Sequence, residues 1–364
     1  MTSRKNDGQT RRHMPVTLKA VAQRVGLTPG TVSAVLNDSP AARSVPQHTK
    51  NRIFAAAKEL NYRPNFLARA LRVNRTYTIG VLAAEIGDPY GSTVISGIES
   101  YLRENDFFYL TVAHRHDKKL LESYAQLLLQ RGVEGFITID TSIDEKLALP
   151  AVAVAGHRPV EGVTNIVIDH KKAIHLALQH LVELGHKDIA LMKGPAVSSD
   201  ADERWRNIVD VSKELGIRVQ PELIVQLDDK AGCAARAPEY GYPFMRELLS
   251  RNRPFTAVFG YNDNSAIAAM RVLQDAGLRV PQDVSVVGFD DIQGAAYTSP
   301  RLTTVRQPLE KMGKIAAKTL LDRIEGRAEY VPEIAIEPQF VVRESAGRPP
   351  LHDSTLPQNA ALAS

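Results

Sequence analysis

The chain has 364 residues, 44% of them hydrophobic and 24% charged, the composition of a soluble globular protein with room for two or three compact units. No apolar run reaches the roughly 18 residues of a membrane-spanning helix. The start, MTSRKNDGQTRRHMP, lacks the apolar core of a secretory signal, and the single cysteine, Cys233, excludes an intramolecular disulfide framework and a cysteine-rich zinc site.

A cytoplasmic location is therefore expected. The net charge of +4 hides an asymmetry: residues 1–76 hold 14 Lys/Arg against 3 Asp/Glu, a net of +11, which leaves −7 on the remainder. A basic module joined to a mildly acidic body is the footprint of a polyanion-binding segment. Each phosphate neutralised by Lys or Arg releases counterions and gives salt-sensitive affinity for DNA. A solvated basic tail or a membrane-surface patch would carry similar charge, but no lipidation motif is visible and the basic residues alternate with helical apolar faces.

Residues 1–15 are expected to form a disordered basic tail. In TLKAVAQRVGLTPGTVSAVLNDSP (17–40), Leu18, Val21, Ala22 and Val25 recur at helical spacing, with Thr17 as N-cap and Gly26 as terminator. Thr28 then caps a second helix with Pro29 at its first position, and Val32, Val35 and Leu36 form its apolar face. Two short helices across a glycine turn predict a helix-turn-helix whose second helix enters the DNA major groove. The spacing alone also fits an ordinary helical hairpin; the surrounding charge favours DNA. Ile53, Ala56, Ala57 and Leu60 mark a third helix after Pro46, closing a DNA-binding domain over 16–62.

Residues 63–77 read as a hinge helix and linker. Pro64 breaks the third helix, Asn65 can cap a new one, and Phe66 to Arg72 spans only about two turns, too short for stability alone. With Arg69, Arg72 and Arg75 around Leu71, this segment suits the minor groove, where an apolar wedge unstacks a base step. A plain basic linker is the simpler alternative.

From residue 78 the pattern changes to apolar runs at 78–84, 107–113, 133–139, 151–155, 188–193, 222–227, 255–260 and 284–289. Helical stretches lie between them, at 93–105, 117–131, 170–185, 202–216 and 263–277. This alternation predicts an α/β body with parallel sheets, whose ligands bind beyond the carboxyl ends of the strands. Asp88, Tyr90, His157, Arg158, Asn262, Asp263, Asp290 and Asp291 fall there, a set suited to a hydroxylated or polar small molecule. Taken singly, each also fits a loop residue or helix cap, Asp263 especially.

Catalytic signatures are missing: there is no G-x-S-x-G elbow, Walker A loop, G-x-G-x-x-G fingerprint or H-E-x-x-H. His114 and His116 form an H-x-H pair without a nearby set of cysteines or carboxylates. No cofactor, metal site or catalytic residue is expected. A sugar-metabolising enzyme fused to a DNA-binding module, a solute-binding protein and an architectural DNA protein are the alternatives to a regulator.

The ordered segments TLKAVAQRVGL, TVSAVLNDSP, VPQHTKNRIFAAAKELNYRPN and LARALRVNRTYTIGVL closely resemble the LacI/GalR family of bacterial transcription regulators. The resemblance implies an all-α helix-turn-helix headpiece, a hinge helix ordered on the operator, and a two-lobed, periplasmic-binding-protein-like α/β effector domain with parallel sheets. It places the leucine matching Leu71 in the minor groove at the centre of a palindrome. The DNA-facing set it implies is Thr17, Thr28, Pro29, Gly30, Thr31, Ser33, Ala34, Asn37, Asn65, Arg69, Leu71 and Arg72. Ala34 stands where the family commonly has a long polar reader, so Thr31 and Ala34 are expected to meet thymine methyls, and Thr28 and Ser33 phosphates.

In the body, DPY at 88–90 resembles the segment whose aromatic contacts the effector, and ERWRNI at 203–208 resembles the arginine-led helix that makes Arg204 the best candidate for gripping it. NDNSA at 262–266, VVGFDDI at 286–292 and VIDH at 167–170 extend the match to Asn262, Asp290 and Asp169. RLTTVRQP at 301–308 resembles a crossover between lobes. Effector-binding residues are thus expected at Asp88, Tyr90, His157, Asp169, Arg204, Asn262 and Asp290. Two departures stand out: Asn207 replaces a usual glycine, and 228–240 looks like an insertion, with Tyr240 a candidate to stack on the ligand.

The resulting expectation is a homodimeric repressor, not an enzyme. It binds a pseudo-palindromic double-stranded DNA operator and responds to a small polar effector, a sugar or related metabolite, in the cleft of a domain over 78–345. The two subdomains are expected at roughly 78–180 with 306–331, and 181–305 with 332–345, followed by a disordered tail at 346–364.

Overall fold

The computed structural model of the protein describes residues 16–63, 70, 74–156, 158–227 and 241–350, in two compact units covering 1–76 and 77–364. Asn65, Arg69, Leu71, Arg72, His157 and Tyr240 lie outside the described residues, as does the tail from 351.

In the amino-terminal unit α1 (Leu18–Val25), α2 (Pro29–Leu36) and α3 (Gln47–Glu59) follow the predicted spacing. Thr17 Oγ1 accepts from the Ala20 amide at 3.3 Å, and Gly26 ends α1 in the left-handed region at φ 69°, where glycine has no Cβ penalty. Thr28 Oγ1 accepts from the Thr31 amide at 3.2 Å, with Pro29 at the first helical position. Val21, Val32, Val35, Ile53 and Ala56 form the core of this unit.

The larger unit contains two six-stranded sheets. The first lobe is built on the order β11-β5-β4-β3-β1-β2, all neighbours parallel: β1 (Thr78–Ala83), β2 (Phe108–Ala113), β3 (Phe136–Ile139), β4 (Ala151–Val154), β5 (Val163–Ile168) and β11 (Glu333–Ile336). Helices α4 (Pro89–Glu104) and α10 (Leu309–Ile324) cover one face through Val94, Ile98, Met312 and Leu320, and α5 (Lys118–Gln130) covers the other through Leu128. The second lobe has the order β12-β10-β9-β8-β6-β7: β6 (Ile189–Lys193), β7 (Ile224–Gln226), β8 (Ala257–Phe259), β9 (Ser285–Asp290) and β10 (Thr303–Arg306) run parallel, with β12 (Gln339–Val341) antiparallel at the edge. Its faces are covered by α6 (His170–Leu184) with α7 (Ala201–Glu214), and by α8 (Tyr242–Ser250) with α9 (Asp263–Asp275).

Three findings revise the predicted boundaries. First, α6 packs on α7 and on the second sheet through Ile174, Leu178 and Leu181, so the lobes part at Asp169 rather than near 180. Second, β11 completes the first sheet, so the last crossing falls after Ile336 rather than at 331. Third, the chain at 346–350 is tied to the second lobe, where a disordered tail was expected, and Gly347 N donates to Ser285 Oγ at 2.9 Å. The Gly347 carbonyl accepts from the His186 ring at 2.8 Å and from Ser285 Oγ at 3.0 Å, anchoring the chain there.

Strand β5 was not predicted, because VTNIVI interrupts its apolar residues with Thr164 and Asn165. Both polar groups are satisfied internally, Thr164 by the Val331 carbonyl and Asn165 by the Gly156 amide. Among the described residues no helix is long and apolar enough to cross a membrane.

Candidate functional site

On the amino-terminal unit, Thr28, Pro29 and Gly30 are exposed at the start of α2, with Thr31 and Ser33 half-buried. Of the first-turn backbone there, Pro29 carries no N–H, and the Thr31 and Val32 amides are taken by the Thr28 hydroxyl and carbonyl. Local bonds already engage several of the expected DNA-facing side chains. Thr28 and Thr31 hydroxyls lie 2.9 Å apart, and Asn37 Nδ2 donates to the Ser33 carbonyl at 2.8 Å. Ala34 corrects one expectation: it is 8% exposed and belongs to the helical core, so its methyl does not face the bases.

In the body, the cleft is built where strands end. Glu85 follows β1, Asp140 follows β3, Ala155 follows β4, Pro195 follows β6, Tyr261 and Asn262 follow β8, and Asp290 closes β9; all line one cavity of about 100 Å³. Strands from both sheets thus aim their carboxyl ends at the same space, as the parallel topology requires. Asp140, Ala155 and Asp290 have φ of 45°, 58° and 119°. Such left-handed backbone at non-glycine residues costs of order 1–3 kcal/mol each and clusters at ligand-binding positions.

Arg204 is the centre of this site. Its guanidinium carbon lies 3.9 Å from the Phe289 ring centroid and 4.6 Å from that of Tyr261, and Nη1 donates to the Tyr261 carbonyl at 2.5 Å. Nη2 pairs with Asp200, whose other oxygen lies 2.9 Å from His170 Nε2. Burial opposes the Arg204 charge, but Asp200, Tyr261 and Asp290 more than offset it and hold the guanidinium fully protonated. The Tyr261 hydroxyl reaches Ser198 Oγ at 2.8 Å. Gly194 makes that ring position possible: a Cβ there would lie 2.2 Å from the Tyr261 ring.

The lobes also meet directly across the cleft. Asp140 accepts from Ser198 Oγ at 3.1 Å, Ser199 Oγ at 3.0 Å and the Ser199 amide at 3.3 Å, while Ser199 Oγ also bonds the Ala155 carbonyl. Asn264 Nδ2 lies 3.5 Å from Asp88 Oδ1. Burial raises Asp88 to about 6, and raises Asp140 and Asp290 as well. It also pushes the Tyr90 and Tyr261 hydroxyls above the usual tyrosine range.

The cleft brings together Asp88, Tyr90, Arg204, Asn262 and Asp290 from the predicted set. Asp88 and Asn262 serve at the same time as N-caps of α4 and α9. Asp169 is the exception: it caps α6, accepting from the Lys172 amide at 2.9 Å, and does not line the cavity. Asp263 and Asp291 are structural, the first bonded to Thr304 and the Ile292 amide, the second paired with Arg306 and Arg343. Arg158 pairs with Asp144 on an exposed surface away from the cleft. Sequence reasoning overlooked Glu85, Asp140, Asp200 and Tyr261. His114 is buried against Thr141 at 2.8 Å, and among the described residues no cluster of three or more His, Cys, Asp or Glu side chains could hold a metal ion.

Comparison with known proteins matches this architecture. The model for bacterial regulatory proteins of the lacI family matches residues 17–65, and that for a periplasmic binding protein-like domain matches residues 178–346. The chain is similar to the HTH-type transcriptional repressor PurR of Proteus mirabilis (strain HI4320), 34% identical over 93% of this chain and 98% of that protein. The repressor of the same name in Photorhabdus laumondii is 33% identical with the same coverage.

Among solved structures, the Lac repressor dimer bound to operator and the anti-inducer ONPF superposes with a TM-score of 0.81 at 27% identity, over 92% of this chain and all of that one. A CelR–cellobiose complex superposes with a TM-score of 0.66 at 30% identity, over 91% of this chain and all of that one. These relatives are regulators rather than enzymes. A DNA-binding helix-turn-helix joined to a two-lobed effector domain, and identity at this level over 93% of the chain, lead to one conclusion: the chain belongs to the LacI family of bacterial regulatory proteins.

Proposed function

We propose that the protein is a homodimeric repressor whose hold on a pseudo-palindromic operator is modulated by a small polar effector, a sugar or related metabolite, bound between the lobes. The observation that carries this reading is Arg204, a buried arginine stacked between Tyr261 and Phe289 at the meeting point of strands from both sheets. A cation fixed this firmly has its orientation settled before a ligand arrives, which lowers the ordering cost of binding.

The cavity of about 100 Å³ is smaller than the roughly 300–1,000 Å³ typical of small-molecule sites. An effector of sugar size therefore has to part the lobes, breaking the contacts of Asp140 with Ser198 and Ser199. Binding and lobe separation are then one equilibrium, and a ligand shifts it by its differential affinity for the two states. The neighbouring structures support the assignment: one is a dimer on operator with an anti-inducer, the other a regulator with cellobiose. In this reading Thr28, Pro29, Gly30, Thr31 and Ser33 face the major groove. Leu71, flanked by Arg69 and Arg72, supplies the minor-groove wedge.

Replacing the guanidinium tests the assignment. Arg204→Ala is expected to abolish the thermal stabilisation given by any responsive metabolite while leaving operator affinity within about threefold of the parent. An unchanged metabolite response places the effector elsewhere.

A further inference from the structure

The cleft is crowded with acid. Its described lining holds five carboxylates, Glu85, Asp88, Asp140, Asp200 and Asp290, against one arginine or lysine, Arg204. That guanidinium is already committed to Asp200 and to the Tyr261 carbonyl.

Three of the carboxylates are held by neutral donors alone. Asp88 accepts from the Gly91 amide at 3.1 Å and from Asn264 at 3.5 Å. Asp140 accepts from Ser198 and Ser199, and Asp290 from Gln307 Nε2 at 2.7 Å. The same fold neutralises a comparable carboxylate with cations one residue away: Asp291, with a side chain 7% exposed, pairs with both Arg306 and Arg343 at 2.6 Å. Burying a carboxylate without a cation is costly, and three in one cavity repel one another as well.

A second observation points to the ligand independently. The Nε of Arg204, a residue only 3% exposed, has no hydrogen-bond partner among the described residues. A buried donor left unsatisfied beside a cleft calls for an acceptor such as a hydroxyl or ring oxygen.

Resting on the reading of the cleft as the effector site, we propose that the effector is a hydroxylated amine: an ammonium group set against Asp88, Asp140 and Asp290, with a hydroxyl or ether oxygen accepting from Arg204. Burial raises all three carboxyl pKa values, against the pull of His116 on Asp140 and of Arg204 on Asp290. The same carboxylates disfavour a phosphorylated or carboxylated ligand, which would set a further anion beside them. An ammonium gains from each carboxylate it approaches and relieves their mutual repulsion.

The test uses the full-length chain and two pairs of probes matched in shape but not in charge. Tris is compared with pentaerythritol, and D-glucosamine with D-glucose. Each titration is followed by thermal shift in phosphate buffer near neutral pH, with sodium chloride as the ionic-strength control. The ammonium member of each pair is expected to bind about tenfold tighter or better, giving a saturable rise in Tm that its neutral counterpart reaches only at correspondingly higher concentration.

The preference should vanish in the isosteric double variant Asp140→Asn/Asp290→Asn, whose own melting curve reports its folding. Equal or tighter binding of pentaerythritol and glucose overturns the charge assignment while leaving a polar effector in the cleft. A saturable shift from none of the four probes overturns it too; the cleft itself is then judged by the metabolite response of Arg204→Ala.

Discussion

Asp290 holds Gln307 twice: its carboxylate accepts from Gln307 Nε2 at 2.7 Å, and its carbonyl accepts from the Gln307 amide at 3.2 Å. Asp290 lines the cleft, whereas Gln307 begins the middle of three chain crossings between the lobes, at Asp169, Gln307–Pro308 and Glu337–Pro338. A ligand that contacts Asp290 therefore acts within one bond of a segment that must move when the lobes part. Gln307→Ala removes a buried partner and is expected to cost about 1–3 kcal/mol in urea unfolding. The effector response should fall more than tenfold while operator affinity without effector is largely kept. An intact response would show that Asp290 is not coupled to the crossing.

Two groups tie stability to pH with opposite signs. Burial, with a smaller contribution from His116, lowers His114 from 6.5 to about 4. The unfolded chain takes that proton first, so the stability held by neutral His114 is full above pH 6.5 and is lost as pH falls towards 4. Burial raises Asp88 from 3.8 to about 6, so the folded chain keeps that proton longer. Its contribution is full below pH 3.8 and is lost as pH rises through 6.

The Asp88 change amounts to at most about 3 kcal/mol and the His114 change to slightly more. Urea unfolding between about pH 4.5 and about pH 7.5 separates the two. His114→Gln should lose stability relative to the parent towards neutral pH. Asp88→Asn, which keeps the helix cap, should gain it over the same range. A difference from the parent that does not vary with pH would remove that group from the account.

Gly194 and Tyr261 make a third test. A methyl on Gly194 enters the Tyr261 ring, whose backbone carbonyl and ring face both hold Arg204. Gly194→Ala should cost about 1–3 kcal/mol through overpacking and weaken effector binding by displacing the arginine. Isothermal titration with a responsive metabolite reads the second effect, and unchanged affinity would detach Tyr261 from the ligand site.

The hinge prediction concerns the DNA. If Leu71 wedges a base step, Leu71→Ala should reduce operator affinity at least tenfold but leave binding to random DNA within about twofold, since the phosphate contacts survive. Fluorescence anisotropy with both duplexes decides, and parallel losses would contradict a wedge.

What was legible in the sequence was local. Thr17, Gly26, Thr28 and Pro29 declare helix ends by their own chemistry, and the structure puts each at the end it marks. Arg204 was legible only through the family resemblance, since its helix alone reads as an ordinary charged one. Asp140 and Tyr261 each stand directly after a predicted strand, so the signal that selected Asp290 was available for them too.

Other features depend on long-range packing. Asp200 acquires its role from His170 and Arg204, and nothing near it in the chain marks it as buried. Ala34 is equally suited to a core or a surface, and only the packing of α2 places it inside. The crossing at Asp169 leaves no trace in composition, because the helix that follows is apolar on one face whichever lobe it joins.

The central claim, that this regulator reads a two-fold operator through its amino-terminal unit, is tested most directly by selecting bound duplexes from a random DNA library with the full-length chain. The account predicts enrichment of a pseudo-palindrome, with a flexible step at its centre and guanine specified weakly opposite α2, and loss of that enrichment for Leu71→Ala. Enrichment of an asymmetric sequence, or salt-sensitive binding with no enrichment, would contradict it.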